Sequence, residues 1–218
     1  MKDGPTIGVL GLQGAFARHI ETLSELGVEA RRVRTPDDLA DLDGMVLPGG
    51  ESTTMGNLLG SSGLLQPLTT ALSSGLPVLG TCAGLILLAQ RILDGRSDQV
   101  SFGVLDVTVR RNGYGRQVDS FEGDVEVRGL GDPFHAVFIR APIIEDVGES
   151  VEVLSSLDGH PILVRQARVM ACSFHPELTS DGRIHRMFLD LVGAGFQNPS
   201  PPDSLTDENT FVTSRSHE

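Results

Sequence analysis

The first 95 residues alternate between short apolar runs and amphipathic stretches, and this alternation constrains the fold more than any other feature. An apolar run, an amphipathic helix and a second apolar run are typical of a parallel β-sheet, because the helix carries the chain back across one face of the sheet. Four pairs of strand and helix follow one another in this region. We therefore predict an α/β fold with a mixed, mostly parallel sheet and helices on both faces. The length of 218 residues favours one such domain rather than two.

Turn and cap residues set the predicted boundaries of these elements. Gly27 and Gly75 each end a helix, and Pro36 after Thr35 begins one. The predicted strands cover residues 7–12, 28–33, 44–47 and 76–81. The predicted helices cover residues 19–26, 36–42, 64–72 and 85–93.

The second half of the chain has a different character. Strand-like runs at 104–109, 125–127, 136–139 and 151–154 predict extra antiparallel strands, without a convincing helix between 102 and 169. A last core strand is predicted over 169–174. A helix follows, because apolar residues recur at its spacing: Ile184, Met187, Phe188, Leu191 and Val192.

The end of the chain is rich in proline, serine and charged residues and has no periodicity. Such a composition buries too little apolar surface to offset the entropy of ordering. We predict one domain over residues 1–197 and a disordered tail over residues 198–218.

Charge and cysteine content restrict the class of protein. With 17 Lys and Arg against 29 Asp and Glu, the net charge of −12 has the wrong sign for binding nucleic acid or an anionic membrane. The two cysteines, Cys82 and Cys172, are too few for a disulfide framework and favour a reducing compartment. The chain starts without a secretory signal pattern and has no apolar stretch long enough to span a membrane. We expect a cytoplasmic protein.

Gly80-Thr81-Cys82-Ala83-Gly84 joins a predicted buried strand to a predicted helix. This is the position of the nucleophile elbow in G-x-S-x-G hydrolases, with cysteine in place of serine. The flanking glycines allow close backbone approach on the tight turn, and the partial positive charge of a helix N-terminus favours a thiolate. The spacing alone leaves two alternatives open for Cys82, a nucleophile or a small buried cysteine of the core.

Ser173-Phe174-His175-Pro176-Glu177 follows the last predicted core strand, at the sheet edge where open α/β folds bind their ligands. We expect an extended segment, favoured by Pro176, in which His175 and Glu177 project to the same side. The carboxylate can then hold the imidazole in one tautomer. A lone histidine after a strand is more often structural, but with this carboxylate and an elbow cysteine elsewhere, we favour a triad of Cys82, His175 and Glu177.

Pro48-Gly49-Gly50-Glu51 follows the third predicted strand, and a Gly-Gly turn there can present backbone N–H groups to a developing oxyanion. A plain β-turn explains the same residues.

We predict Cys172 to be a core residue. The remaining histidines lack the spacing of zinc ligands, and we expect neither a metal nor a cofactor.

These three motifs together resemble the class I, triad-type glutamine amidotransferases, which implies a flavodoxin-like, three-layer fold. Further stretches narrow the resemblance to the glutaminase subunits of pyridoxal 5′-phosphate synthases, and it spans about residues 6 to 195. Those stretches are Gly8-Val9-Leu10-Gly11-Leu12-Gln13-Gly14, Gly49-Gly50-Glu51-Ser52-Thr53-Thr54-Met55, Arg116-Gln117-Val118-Asp119-Ser120-Phe121-Glu122, Phe138-Ile139-Arg140-Ala141-Pro142 and Cys172-Ser173-Phe174-His175-Pro176-Glu177-Leu178-Thr179.

The resemblance implies hydrolysis of L-glutamine to L-glutamate through a cysteine thioester. It also implies that the ammonia passes inside a hetero-oligomeric complex to a partner, the lyase subunit that makes pyridoxal 5′-phosphate. That vitamin B6 vitamer is the product of the partner and not a cofactor of this chain. Activity without the partner is expected to be weak.

The resemblance also assigns roles to residues at matching positions. The glutamine-binding positions are Gly49, Gly50, Glu51, Arg111, Ile139 and Arg140. Gly50 and Ala83 supply the oxyanion N–H groups, and Gln13 lies at the docking face, where its neighbourhood orders the oxyanion turn. Without the resemblance, solvated surface arginines would be the better interpretation of Arg111 and Arg140.

Three other functions are weighed against this one. A glutaminase could serve another acceptor, such as imidazole glycerol phosphate or a nucleotide synthase, but the flanking stretches argue against that. A cysteine hydrolase or stress protein on a similar sheet would not need His-Pro-Glu after the last strand. An inactive interaction subunit is expected to have a broken triad, whereas Cys82, His175 and Glu177 are all present.

Overall fold

The computed structural model describes residues 4–96, 98–111 and 120–193. Its strands are β1 (Thr6–Leu10), β2 (Glu29–Val33), β3 (Gly44–Leu47), β4 (Val78–Thr81), β5 (Ala89–Ile92), β6 (Leu105–Arg110), β7 (Ser120–Val125), β8 (Phe134–Ile139), β9 (Ile143–Val147), β10 (Glu152–Leu157), β11 (His160–Gln166) and β12 (Val169–Cys172). Its α-helices are α1 (Phe16–Glu25), α2 (Ser52–Ser61), α3 (Leu65–Ser73), α4 (Ala83–Leu88) and α5 (Arg183–Gly193). Short 3-10 helices cover Pro36–Leu39 and Pro176–Leu178.

A seven-stranded sheet with the order β10-β11-β12-β4-β3-β1-β2 organises the domain. The five strands from β12 to β2 are parallel, whereas β11 pairs antiparallel with β12 and β10 antiparallel with β11. The parallel part has the strand order of flavodoxin-like sheets. The prediction of a mixed, mostly parallel sheet is confirmed.

Buried side chains point alternately to the two faces of this sheet. Ile7 and Val9 of β1 join the apolar cluster that contains residues of α1 and α5. Leu10 joins the opposite cluster, which contains residues of α2, α3 and α4. Since successive strand residues face opposite ways, a strand that is apolar at nearly every position requires cover on both faces. This is the physical basis of the three-layer arrangement.

The extra strands predicted between 102 and 169 are present. β7 and β8 form an antiparallel hairpin, and β6 pairs antiparallel with β9. The predicted strand over 125–127 is placed too late, because β7 ends at Val125. β9 and β11 were not predicted as strands.

The predicted helix over 85–93 is wrong in its second half. α4 ends at Leu88, and Ala89–Ile92 forms β5, which pairs parallel with β6. Ala89 aligns with Leu105 and Ile92 with Val109. Pairing with a distant strand therefore overrides the helical pattern of the local sequence.

The sequence also gave no indication of α2. Its glycines, Gly56 and Gly60, have poor helix propensity. A Cβ at Gly56 would lie 3.0 Å from the Cβ of Val100, so that position brings the helix close to a neighbouring segment. The helix is capped by Glu51, whose side chain accepts hydrogen bonds from the N–H groups of Thr53 and Thr54.

Two sequence predictions concern parts of the chain outside the described residues. One is the tail over 198–218, and the other is the stretch from Arg116 to Asp119. Within the described ranges, none of the helices is both long enough and apolar enough to cross a membrane.

Candidate active site

The carboxyl ends of four parallel strands carry the candidate site. Gln13 follows β1, Gly49 to Glu51 follow β3, Cys82 follows β4 and His175 follows β12. Because these strands are parallel neighbours, their carboxyl ends share one edge of the sheet. The register of β4 and β12 brings Cys82 and His175 to neighbouring strand ends, since Cys172 of β12 aligns with Thr81 of β4.

Cys82 occupies a strained turn between β4 and α4. Its backbone has φ 49° and ψ −102°, a conformation rarely adopted by residues other than glycine. Its N–H donates to the carbonyl of Cys172 at 2.9 Å, and its Sγ lies 3.9 Å from the carbonyl oxygen of Ile139. The elbow geometry expected from the sequence is therefore present.

The glycines on either side of Cys82 make this turn sterically possible. A Cβ at Gly80 would lie 2.8 Å from the carbonyl oxygen of Gly84. A Cβ at Gly84 would overlap the carbonyl oxygen of Leu47 on the neighbouring strand. Both positions require close backbone approach, as the mechanical argument from the sequence predicted.

His175 and Glu177 form a buried pair. Nδ1 of His175 lies 2.8 Å from Oε1 of Glu177, and the N–H of His175 donates to the carbonyl of Val137 at 2.8 Å. His175 is 8% exposed and Glu177 is 3% exposed. The expected extended segment is wrong, since Pro176–Leu178 is a single 3-10 turn. The turn still brings the carboxylate under the imidazole, because it folds residue 177 back toward residue 175.

The charges of this pair stabilise each other. Burial disfavours the imidazolium of His175, but hydrogen bonds with Cys82 and Glu177 outweigh it and raise the pKa of His175 to about 10. Burial likewise disfavours the carboxylate of Glu177, yet the hydrogen bond with His175 and the positive charge of that imidazole lower its pKa. The arrangement favours a charged imidazolium beside Cys82.

A cavity of about 330 Å³ opens above Cys82 and His175. Its other walls contain most of the predicted glutamine-binding residues. The complete lining is Gln13, Gly50, Glu51, Ser52, Cys82, Ile86, Arg111, Ile139, Arg140 and His175. Gly49 lies behind the imidazole of His175 instead, and Ala83 is the first residue of α4.

Glu51 and Arg111 form an ion pair on one side of the cavity. Nη2 of Arg111 donates to Oε1 of Glu51 at 3.1 Å. Burial raises the pKa of Glu51, but hydrogen bonds from Thr54 and Thr53 at the start of α2 outweigh it and lower that pKa to about 2. The site therefore holds a carboxylate beside a guanidinium, a combination that suits an α-amino acid.

Gln13 contacts the Gly-Gly turn directly. Its Oε1 accepts a hydrogen bond from the N–H of Glu51 at 3.1 Å. A Cβ at Gly14, which has φ 85°, would overlap the carbonyl oxygen of Gly49. The loop after β1 and the turn after β3 are thus in contact, as a coupling role for Gln13 requires.

Sequence reasoning missed several residues of this region. Ser52 and Ile86 line the cavity, and two buried histidines, His19 and His185, lie behind Glu177. One signal was available in the sequence. His19 lies four residues before Leu23 on the buried face of α1, and a buried polar side chain requires a hydrogen-bond partner. Cys172 is a core residue as predicted, and burial raises its pKa well above the usual value.

Comparison with known proteins identifies the family. The sequence model of the SNO glutamine amidotransferase family matches residues 9–193. The chain belongs to the SNO glutamine amidotransferase family. One curated member, from Mycobacteroides abscessus, is named pyridoxal 5′-phosphate synthase subunit PdxT. It is 56% identical over 191 residues, covering 88% of this chain and 99% of that protein.

Solved structures agree with membership of the SNO glutamine amidotransferase family. A crystal structure of a glutamine amidotransferase matches with a TM-score of 0.81 and 50% identity, covering 86% of this chain and 98% of the other. The structure of PurLQS from Thermotoga maritima matches with a TM-score of 0.62 and 17% identity over 86% of this chain and 98% of the other. The second similarity concerns the fold alone.

Proposed function

We propose that this chain is the glutaminase subunit of a pyridoxal 5′-phosphate synthase, with Cys82 as nucleophile, His175 as acid and base, and Glu177 as the residue that orients His175. The observation that carries the proposal is the buried His175–Glu177 pair beside an elbow cysteine, in a cavity that also holds Glu51 and Arg111. The relative from Mycobacteroides abscessus is named as a subunit of that synthase.

In the first half of the reaction, the Cys82 thiolate attacks the side-chain amide carbon of L-glutamine and forms a C–S bond. The amide oxygen becomes an oxyanion, for which the backbone N–H groups of Gly50 and Ala83 are the proposed donors. Ala83 opens α4, where an N–H has no partner within the helix. His175 then donates its proton to the departing nitrogen, and ammonia leaves a γ-glutamyl thioester.

In the second half, His175 takes a proton from water, and the resulting hydroxide attacks the thioester carbon. The C–S bond breaks, the Cys82 thiolate is restored, and glutamate leaves. Glu177 accepts the Nδ1–H of His175 in both halves and stabilises the imidazolium each time it forms.

The cavity supplies groups for both ends of the amino acid. We assign the substrate carboxylate to Arg111 and the ammonium to Glu51, because each offers the complementary charge. Gly49, Gly50, Ile139 and Arg140 complete the proposed binding site. The backbone carbonyl of Ile139 is 3.9 Å from the Cys82 sulfur and so borders the reacting centre.

Gln13 is the proposed link between partner docking and catalysis. It is half-buried at the mouth of the cavity and is bonded to the backbone of Glu51, next to the proposed oxyanion donor Gly50. A partner that contacts the loop after β1 therefore acts on the oxyanion turn through one hydrogen bond.

Ammonia transfer to a different acceptor is the second candidate function, but no observation in the structure favours it. The triad chemistry would be the same for any acceptor. The curated relative that covers 88% of this chain is named after pyridoxal 5′-phosphate synthesis.

We propose a reducing, cytoplasmic location, because both cysteines are free thiols and Cys82 must stay reduced. Subcellular fractionation tests this location.

Glutamate release from L-glutamine tests the function. The chain is assayed alone and then mixed with the other subunit of the pyridoxal 5′-phosphate synthase from the same source. We expect low activity alone and a large rise on mixing. Release of glutamate without any rise would point to another acceptor synthase, and no release in either sample would contradict the enzyme assignment.

A further inference from the structure

Two histidines that the mechanism above does not use lie directly behind Glu177. His19 of α1 places Nε2 3.4 Å from Oε2 of Glu177. His185 of α5 places Nε2 2.9 Å from Nδ1 of His19. Both side chains are fully buried. Burying imidazoles is costly unless their nitrogens are hydrogen-bonded, so the cluster calls for a reason beyond packing.

The hydrogen-bond geometry selects one arrangement of protons. Burial lowers the pKa of His19, and burial together with His19 lowers the pKa of His185 to about 3. Both imidazoles are therefore neutral, with one donor and one acceptor nitrogen each. If His185 donates from Nε2 to Nδ1 of His19, then His19 carries its proton on Nε2, where it faces the Glu177 carboxylate.

The opposite arrangement of protons is less favourable at the contact of His19 with Glu177 and at Nδ1 of His185. His19 would donate from Nδ1 to His185, and its Nε2 lone pair would face the negative Oε2 of Glu177. The Thr81 hydroxyl lies 3.4 Å from the same Nε2 and can donate or accept, so it fits either arrangement and does not remove the repulsion in this one. Nδ1 of His185 has no hydrogen-bond partner within the described residues. In the opposite arrangement it would be a buried unpaired N–H, whereas in the first it is an unpaired acceptor, which folded proteins tolerate better.

We propose that His19 is a positioning residue for the triad, donating its Nε2–H to Oε2 of Glu177, and that His185 fixes the tautomer of His19. Oε2 is buried with no recorded hydrogen-bond partner in the described part of the chain, and Nε2 of His19 lies 3.4 Å from it. His185 then donates to His19, and His19 and His175 donate to the two oxygens of Glu177 from opposite sides. Two donors on one carboxylate favour its charged form. This inference deepens the proposed function and rests on it for the role of Cys82.

A matched pair of variants separates positioning from packing. His19→Gln retains an amide N–H near the position of Nε2, whereas His19→Met fills a similar volume without a donor. Two readouts are measured on the full chain: the rate at which iodoacetamide alkylates Cys82 at pH 7, followed by peptide mass spectrometry, and kcat and KM for glutamate release in the presence of the synthase subunit. His160→Asn, at the start of β11, is the control.

We expect His19→Met to lower the alkylation rate of Cys82 and kcat by roughly tenfold each, the scale of losing one hydrogen bond to a charged group. KM should stay within about twofold, because no substrate contact is removed. His19→Gln should retain most of the wild-type rates, and the control should match wild type. Circular dichroism checks that each variant is folded.

Wild-type rates in folded His19→Met, or equal losses in His19→Met and His19→Gln, would overturn the proposal. If His19→Met does not fold, His185→Leu and His185→Gln decide the same question, since only the glutamine keeps a donor toward His19. Failure of the proposed function gives a different result. Wild type would then release no glutamate, while the order of Cys82 alkylation among the variants would persist.

Discussion

Gly49 packs its bare backbone against the imidazole of His175, and a Cβ at position 49 would lie 2.8 Å from Nδ1 of that ring. The same nitrogen donates to Glu177. The Gly-Gly turn therefore does more than line the cavity, because it also sets how far the catalytic imidazole can shift.

Gly49→Ala should displace His175 and reduce turnover about 100-fold, the scale expected when a catalytic group moves by roughly 1 Å. Steady-state glutamate release with the synthase subunit measures the loss. Gly123→Ala is the control, because a Cβ at Gly123 of β7 meets no atom within 4 Å. Full activity in Gly49→Ala would show that the imidazole tolerates displacement and would contradict this steric account.

Substitution of Cys82 should separate activity from stability. Cys82→Ala and Cys82→Gly should both abolish hydrolysis, since neither has a nucleophile. The glycine variant should be the more stable of the two by about 1 kcal/mol, because the positive φ of residue 82 strains any side chain. Urea unfolding measures the difference. Equal stability of the two variants would mean that the elbow stores no strain, and residual hydrolysis would exclude Cys82 as nucleophile.

The sequence could predict where the site forms because strand ends are encoded locally. The apolar runs that end before Gln13, Gly49 and Cys82 identify three carboxyl ends of one parallel sheet. Parallel strands place those ends on one edge, so residues that are far apart in sequence meet there. This inference is enough to place Cys82 and His175 at the same edge of the sheet, without knowledge of the loop conformations.

Other features depend on contacts that no local pattern encodes. β5 forms where a helix was predicted, because Ala89–Ile92 has a partner strand in β6. The pairing of His19 with His185 joins residues 166 positions apart in the sequence. Glu51 can be recognised as a helix cap only when α2 is known. That helix is not predicted from the sequence, because its glycines have low helix propensity.

Loss of the Gln13 side chain should uncouple the partner from the site. Gln13→Ala removes the acceptor of the Glu51 N–H and with it the contact to the oxyanion turn. We expect the rise in glutamate release on adding the synthase subunit to fall about tenfold, while the low activity of the isolated chain changes little. Gln66→Ala, on the exposed face of α3, is the control. An unchanged rise in Gln13→Ala would remove the support for the coupling role.

Glu51 should contribute to stability in a pH-dependent way. Its pKa of about 2 in the folded chain is lower than its ordinary value of 4.5. The charged cap is therefore fully present above pH 4.5 and is lost as the pH falls through about 2. Glu51→Ala should destabilise the chain by about 1 kcal/mol at pH 7, typical of a lost N-cap, and by less at pH 3. Urea unfolding of both proteins at the two pH values measures this, and an equal loss at both would contradict it.

His175 should show the opposite dependence on pH. Its pKa of about 10 in the folded chain lies above its ordinary value of 6.5, so its stabilisation is complete below about pH 6.5 and disappears as the pH rises through 10. The difference in unfolding free energy between wild type and His175→Asn should therefore shrink from pH 6 to pH 10. When Cys82 is replaced by alanine, the stabilisation by His175 should disappear at a lower pH, because one of the hydrogen bonds that raise the pKa of His175 is missing. A difference that is constant from pH 6 to pH 10 would show that His175 is not held as an imidazolium beside Cys82.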